Sequence, residues 1–202
     1  MPYFLAKSLI FLMYNFELQT DVNLKDFCTF RIGGSAKFLS HLIVETNGDT
    51  LEISFKKSMF DIGHRLRNSL TVYLPCERGS VFKISVKGSS DCEILPSCGI
   101  LEISIAGSGD VCAADCNRMH CSIAGSGDVR VGKVAFGTNI SISGSGDVEA
   151  ESLCAPLVKI AGSGNLKVGE VIGDEMNVSI GGSGDIECGG EVDTLKLSVC
   201  GS

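Results

Sequence analysis

The sequence lacks tryptophan, contains only 4 prolines, and has 17 basic residues against 24 acidic ones. The formal net charge of −7 leaves no basic face for nucleic acid or for an anionic membrane surface. The apolar stretch at residues 4–13 is far shorter than the ~20 residues of a membrane-spanning helix. We therefore predict neither a nucleic-acid partner nor a membrane span.

Glycine and apolar residues, by contrast, are plentiful, because the 202 residues include 25 glycines and are 44% hydrophobic. This composition is too apolar for a disordered chain and richer in glycine than most globular domains. The length suits one domain with a sizeable core. We predict one domain over residues 21–202, preceded by an N-terminal extension or weak signal-like segment over residues 1–20.

A Gly-Ser-Gly-Asp motif recurs through the second half of the sequence. Its final Asp or Asn falls at residues 91, 110, 128, 147, 165 and 185, so the steps are 19, 18, 19, 18 and 20 residues. A nearly constant step of this size, with no helical pattern inside it, is typical of a solenoid.

The residues that flank each motif alternate between apolar and polar, which indicates strands with one buried face. The predicted inward pairs are Ile103 and Ile105, Cys121 and Ile123, Ile140 and Ile142, Val158 and Ile160, Val178 and Ile180, and Leu197 and Val199 before the motif, and Val111 and Ala113, Val129 and Val131, Val148 and Ala150, Leu166 and Val168, and Ile186 and Cys188 after it. Polar residues such as Ser104, Ser122 and Ser141 face outward. One coil has too few apolar residues for a core, so like residues must stack in parallel coils about 4.8 Å apart.

These patterns predict an all-β fold, a single-stranded right-handed parallel β-helix with coils of 18–20 residues. The hand follows from the right-handed crossover that joins parallel strands. Residues 86–202 are expected to form the regular coils. Residues 21–85 are strand-rich but less regular, and we expect them to form the first coils and a cap, with an exposed loop or short helix at Met59–Asn68.

The repeated turns are the candidate structural site. Glycine suits a corner that needs positive φ or close backbone approach, and Ser and Asp offer acceptors to the N–H groups of their own turn. Stacked carboxylates repel one another unless backbone donors or a cation compensate them, and Asn165 interrupts the column. The predicted turn ladder comprises Gly107, Ser108, Gly109, Asp110, Gly125, Asp128, Gly144, Asp147, Gly162, Asn165, Gly182 and Asp185.

Calcium binding by the Asp column is an alternative to a purely structural ladder. The run from Gly181 to Ile186 is similar to the Gly-Gly-x-Gly-x-Asp repeat of calcium-binding β-rolls. That repeat returns every nine residues, whereas here the Asp returns once per longer coil. We therefore predict no metal and no cofactor.

Ten cysteines do not make this chain a disulfide framework, because such frameworks occur in short chains without a core. We expect mostly free thiols in a reducing compartment, with a Cys92–Cys98 disulfide as the alternative in an exported protein. The strand pattern directs Cys121 and Cys188 inward and Cys112 outward.

The same region contains residue types that zinc accepts. These are Cys112, Cys116, His120 and Cys121. Their spacing departs from a Cys-x-x-Cys pair and Cys121 is expected to face the core, so a zinc site is not predicted.

No cluster of catalytic residues stands out in the sequence. His41 and His64 lie in the irregular region, away from any Ser or Cys that could serve as a nucleophile, and the pair Asp174 and Glu175 sits on a turn. Polysaccharide-cleaving β-helices mount their acidic and basic residues on long loops, whereas the loops between these coils are short. We predict that the protein is not an enzyme.

The order of elements resembles a known bacterial family. Leu24–Phe27, followed by Ile32 and Ala36–Phe38, is similar to the family's opening strand pair, and Gly48–Ile53 to its next strand. Leu70–Pro75 is similar to its strand that ends in proline, and the Gly-Ser-Gly-Asp coils follow. Over residues 21–202 the chain thus resembles the family described as "Putative auto-transporter adhesin, head GIN domain".

The resemblance implies a β-helical fold and an adhesin-like role, and it brings no enzymatic residues. It also implies the cell surface or periplasm, with the cytoplasm as the alternative if the N-terminal segment is not a functional signal. We expect a non-enzymatic binding or structural scaffold for a protein or glycan partner. The alternative is a homo-oligomer that assembles through the C-terminal coil. The sequence reaches Ser202 where another motif should begin, which is expected either of a truncated chain or of a last coil that offers its edge to another subunit.

Overall fold

The structure, a computed structural model, describes residues 6–11, 16–19, 31–33, 42–47, 50–55, 71–73, 76–88, 91–94 and 97–201. The elements among these residues are all β-strands. In chain order they are β1 (Ala6–Phe11), β2 (Phe16–Gln19), β3 (Arg31–Gly33), β4 (Leu42–Asn47), β5 (Thr50–Phe55), β6 (Thr71–Tyr73), β7 (Cys76–Gly88), β8 (Cys92–Ile94), β9 (Cys98–Gly107), β10 (Val111–Ala113), β11 (Cys116–Ile123), β12 (Val129–Gly144), β13 (Val148–Cys154), β14 (Pro156–Gly162), β15 (Leu166–Ile172), β16 (Glu175–Ile180), β17 (Ile186–Gly190) and β18 (Thr194–Val199).

The strands from β7 onward form a parallel solenoid of about 6 turns. Within the coils, segments that precede a Gly-Ser-Gly-Asp turn pair in parallel with segments that precede the neighbouring turns, and segments that follow a turn do likewise. The long strand β12 contributes to both sets. Ile123, for example, lies in register between Ile105 and Ile142. The predicted all-β parallel solenoid is therefore confirmed.

The core runs along the inside of the coils. Alternate residues of each strand are buried, as in β14, where Val158 and Ile160 are inside while Leu157 and Lys159 are outside. Like residues stack on like, so the interior consists of columns of aliphatic side chains. The largest fully buried side chains are Leu101, Ile105, Met119, Ile123, Ile140, Ile142, Leu153 and Ile160.

The first strands pair differently from the coils. β2 is antiparallel to both β1 and β7, and β4 is antiparallel to β5. β1 runs parallel to β7, so strands from within residues 1–20 lie in the same sheet as the first coil. β3 and β6 form a separate two-stranded antiparallel sheet. The loop or short helix expected at Met59–Asn68 lies outside the described residues.

The coils differ in length by one or two residues, and the differences lie outside the Gly-Ser-Gly-Asp corner. One of them is between Val168 and Val171, whose partners Cys188 and Gly190 are one residue closer in sequence. The number of residues between the first Gly of a turn and the following strand is constant. Gly144 therefore pairs with Gly162, and Val148 pairs with Leu166. At the opposite side, Val134 faces Cys116 while Gly137 faces Arg118, which inserts one extra residue into β12. We call this region, between residues 134 and 138 of β12 and its equivalents, the variable corner.

The last described coil presents its apolar side to solvent. Cys188 pairs in register with the buried Val168, yet Cys188 is exposed. Its predicted inward position is therefore correct in register but wrong in burial, because no described coil packs over β17. None of the described residues belongs to a helix long and apolar enough to span a bilayer.

Candidate functional site

The Gly-Ser-Gly-Asp turns stack along one corner of the solenoid. Gly144, the first residue of its turn, has a φ of +149°, and a Cβ at this position would lie 2.2 Å from the carbonyl oxygen of Gly125. The N–H of Ser145 donates a hydrogen bond of 2.9 Å to that same oxygen. The first position of the turn therefore accepts glycine alone. The same corner contains Gly107, Gly125, Gly162 and Gly182 with equally positive φ, the exposed Ser108 and the buried Gly109.

The Asp side chains connect successive coils. Asp110 accepts a hydrogen bond from the backbone N–H of Asp128 at 2.9 Å, and Asp128 accepts one from Asp147 at the same distance. Asp147 in turn accepts the N–H of Asn165 at 2.8 Å. The sequence suggested that these side chains serve the N–H groups of their own turn, but parallel stacking places the next turn's N–H directly over each carboxylate.

Asn165 acts as both donor and acceptor in this column. Its side-chain Nδ2 donates to Oδ1 of Asp147 at 3.0 Å, and its own Oδ1 accepts the N–H of Asp185 at 2.9 Å. One neutral amide thus continues the chain of hydrogen bonds while it removes one negative charge from the column. Backbone donors supply the compensation that a cation would otherwise have to provide.

A shallow cleft of about 340 Å³ lies beside the last four members of this column. Two ion pairs cross it, Arg130 with Glu149 at 3.4 Å and Lys167 with Glu187 at 3.5 Å. All four side chains are mostly exposed, so each pair stabilises the fold by only ~0–1 kcal/mol. Within the described part of the chain, no three His, Cys, Asp or Glu side chains come together as metal ligands.

A second concave surface, which we call the outer groove, lies on the outward face of the strands before the turns. Its volume is about 530 Å³. Two columns of side chains line it. The floor column is Ser85, Ser104, Ser122 and Ser141, and the wall column is Lys83, Glu102, His120 and Asn139.

Both columns are in register across four coils. Glu102 faces Lys83 on one side and His120 on the other, and His120 faces Asn139. The Nζ atom of Lys83 lies 3.3 Å from a carboxylate oxygen of Glu102, and both side chains are about 40% exposed. In the next coil, Leu157 and Lys159 occupy these columns, so the polar groove ends there.

The sequence supplied part of the signal for this groove. The serines of the floor belong to the outward row that alternation predicts, but the wall residues were not singled out as a group. Aligning successive coils on their motifs places Lys83, Glu102, His120 and Asn139 in one column. Their different chemistry hides the column from a search for repeated residue types.

The four residues weighed as zinc ligands do not converge. Cys112 and His120 are exposed, whereas Cys116 and Cys121 are buried. Burial raises the pKa of the Cys121 thiol to about 12, so the thiol is protonated near neutral pH. The pKa of Cys92 is raised to about 12, mainly by burial and to a smaller extent by the nearby charges of Cys112 and Glu93.

Cys98 and Cys116 are neighbours in the core. They are directly paired between β9 and β11, and both are buried. A hydrogen bond with Cys98 lowers the pKa of Cys116, although burial and the charge of Asp115 oppose this shift. Cys92 is instead paired with Val111 and is not joined to Cys98 by a disulfide.

Comparison with known proteins places these features in a family. The sequence model of the family described as "Putative auto-transporter adhesin, head GIN domain" matches residues 17–159. The match includes strands β3 to β13, both columns of the outer groove and the first four repeated turns, which end at Asp91, Asp110, Asp128 and Asp147. No curated protein matches the chain.

Proposed function

Because this chain belongs to the family described as "Putative auto-transporter adhesin, head GIN domain", we propose that it is a non-enzymatic, adhesin-like scaffold that binds a partner on its outer face. The observation that carries this proposal is the outer groove, a concave surface with two columns of outward-facing polar side chains on four paired strands. Side chains on paired strands are held more firmly than side chains on loops. The solenoid is in this view a rigid support whose exposed columns make the contacts.

A direct test is adhesion of beads coated with the purified protein. We expect saturable binding to bacterial cells, epithelial cells or immobilised matrix proteins, and competition by the soluble protein. Beads coated with albumin are the control for non-specific attachment. Binding no greater than that control on all of these surfaces would contradict the proposal.

The proposed lack of enzymatic activity also rests on the outer groove. Hydrolysis of a glycosidic bond ordinarily requires two carboxyl groups that flank the scissile bond. Among the described residues that line the groove, Glu102 is the one carboxylate, and it is paired with Lys83. Incubation with soluble polysaccharides should therefore release no new reducing ends, and release that scales with protein concentration would refute this assignment.

A second candidate function is assembly of copies through the last coil. Leu195, Leu197 and Val199 of β18 are 57%, 60% and 54% exposed, although they continue columns that are buried in β16. The edge of β18 also carries backbone groups that another strand can pair with. A second copy of this chain would cover both features.

Sedimentation velocity over a wide concentration range tests this assembly. We expect concentration-dependent growth for the chain itself and a monomer for Leu197→Lys, because a charge in the contact would be desolvated. Ile172→Lys is the matched control, since Ile172 is also exposed and apolar but lies on the side of the solenoid. Equal assembly by both variants, or a monomer at every concentration, would rule out assembly through this coil.

A further inference from the structure

We infer that the outer groove binds an uncharged, hydroxyl-rich oligosaccharide that lies along the solenoid axis; this inference rests on the proposed binding function. The four coils of the groove span three strand spacings, so the outermost strands are ~14 Å apart. The volume of about 530 Å³ is within the ~300–1,000 Å³ of small-molecule sites. The groove is therefore long enough for several sugar units and too shallow to enclose a compact ligand.

The charges of the groove favour a neutral occupant. Its one carboxylate, Glu102, is paired with its one ammonium group, Lys83, at 3.3 Å. An anionic ligand would meet Glu102 and the overall charge of −7, and a cationic ligand would have to compete with Lys83 for Glu102. The remaining polar side chains, including His120 and Asn139, can donate and accept hydrogen bonds.

The hydrogen-bonding groups match hydroxyl groups in kind and in arrangement. Each serine of the floor column can both donate and accept, as a sugar hydroxyl can. The serines repeat once per coil, at the ~4.8 Å strand spacing, so a chain laid along the column meets similar groups at regular intervals. The wall column, from Lys83 to Asn139, adds longer polar side chains beside the same chain.

The end of the groove provides a natural way to block it. Lys159 occupies the floor column one coil after Ser141, and the solenoid accommodates its long side chain there. A lysine at Ser122 should fold equally well and fill the middle of the groove. Ser179 belongs to the same column two coils beyond Ser141 and outside the groove, so Ser179→Lys is the matched control.

The test is a titration of ¹⁵N-labelled protein monitored by NMR. The neutral probes are maltohexaose, cellohexaose and chitohexaose, each raised to about 10 mM so that dissociation constants up to the millimolar range can be measured. A hexamer of galacturonic acid is the anionic comparison. We expect at least one neutral probe to shift the amide signals of Ser104, His120 and Ser122, with at least tenfold weaker binding to Ser122→Lys and unchanged binding to Ser179→Lys.

Three results would overturn the inference. They are no shifts with any neutral probe, shifts that map away from the groove, and equal binding by Ser122→Lys when its melting temperature equals that of the parent. Tighter binding of the galacturonic acid hexamer in the groove would overturn the choice of a neutral ligand. Adhesion of coated beads in the absence of oligosaccharide binding would leave the proposed scaffold intact and assign its partner to protein.

Discussion

The backbone N–H of Asp147 donates a hydrogen bond to Oδ1 of Asp128 in the preceding coil, at a distance of 2.9 Å. The side chain of one turn thus fixes the backbone of the next. The same relationship joins Asp110 to Asp128 and Asp147 to Asn165, so the column connects coils in addition to the strand pairing.

Removal of one acceptor from this column should destabilise the solenoid. Asp128→Ala removes the acceptor of the exposed hydrogen bond from the N–H of Asp147, and we expect the free energy of unfolding to fall by about 0.5–1.5 kcal/mol. Asp128→Asn keeps an acceptor, as Asn165 does naturally, and should remain within about 0.5 kcal/mol of the parent. Urea denaturation of the three proteins measures the difference, and equal losses for both variants would show that the acceptor contributes nothing.

Alanine should be tolerated at Gly137 of the variable corner but not at Gly144, the first glycine of its turn. In Gly144→Ala, the alanine would need a positive φ and its Cβ would lie 2.2 Å from the carbonyl oxygen of Gly125. The free energy of unfolding should therefore fall by about 1–3 kcal/mol or more. A Cβ at Gly137 would meet no atom within 4 Å, and Gly137→Ala should be neutral or stabilise by up to about 1 kcal/mol. Thermal unfolding followed by circular dichroism distinguishes the two, and similar melting temperatures for both variants would contradict the turn geometry.

The buried thiol of Cys121 predicts a loss of stability at alkaline pH. Its pKa is raised from 9.0 to about 12, so above pH 9.0 the unfolded chain loses a proton that the folded chain keeps. The stabilisation is fully present below pH 9.0 and falls by about 1.4 kcal/mol per pH unit above it, until the folded thiol also titrates.

Cys121→Val removes this thiol and should make the decline of stability with pH shallower by that amount. The measurement is urea denaturation at several values between about pH 8 and pH 11. Cys112→Ser, at an exposed cysteine, is the control and should keep the slope of the parent. An unchanged slope in Cys121→Val would show that the thiol is not held protonated by the fold.

Oxidative refolding should join Cys98 to Cys116 rather than to Cys92. In-register neighbours on parallel strands are ~4.8 Å apart, which falls within the ~4.4–6.8 Å between the Cα atoms of disulfides. With oxidised glutathione as the oxidant, the two thiols lose two protons and two electrons, and glutathione disulfide is reduced to two thiols.

Peptide mass spectrometry after alkylation identifies the pair that forms. Cys121 is the internal control, because its neighbours in the adjacent coils are Ile103 and Ile140. It should stay a free thiol and be alkylated when the oxidised protein is unfolded. A Cys92–Cys98 peptide, or equal yields of several pairs, would contradict the expected preference.

The columns of the core could be predicted from the sequence because two repeats agree, the alternation of residues along each strand and the step of 18–20 residues between motifs. Alternation along a strand assigns Ile103 to the inside, and the step between motifs places Cys121 and Ile140 in the same column, as the structure has them. A shift of one residue would turn every apolar side chain outward. The register is therefore determined by the burial of the whole column rather than by any single contact.

Other features depend on information that a local pattern does not contain. The antiparallel pairing of β2 with β7 is a choice of direction, and alternation is the same for both directions. The exposure of Cys188 depends on what packs above it, and the target of Asp128 is a backbone group in another coil. The outer groove likewise appears only when side chains from four coils are placed side by side.

The variable corner separates two kinds of constraint within each coil. Lengthening a coil there, as the extra residue opposite Cys116 and Arg118 does, leaves Gly144 over Gly125 and Asp147 over Asp128. An inserted residue in one Gly-Ser-Gly-Asp turn would instead separate the carboxylate of that turn from the N–H group of the next turn. A coil can thus be lengthened at the variable corner, while the Gly-Ser-Gly-Asp corner keeps neighbouring coils in register.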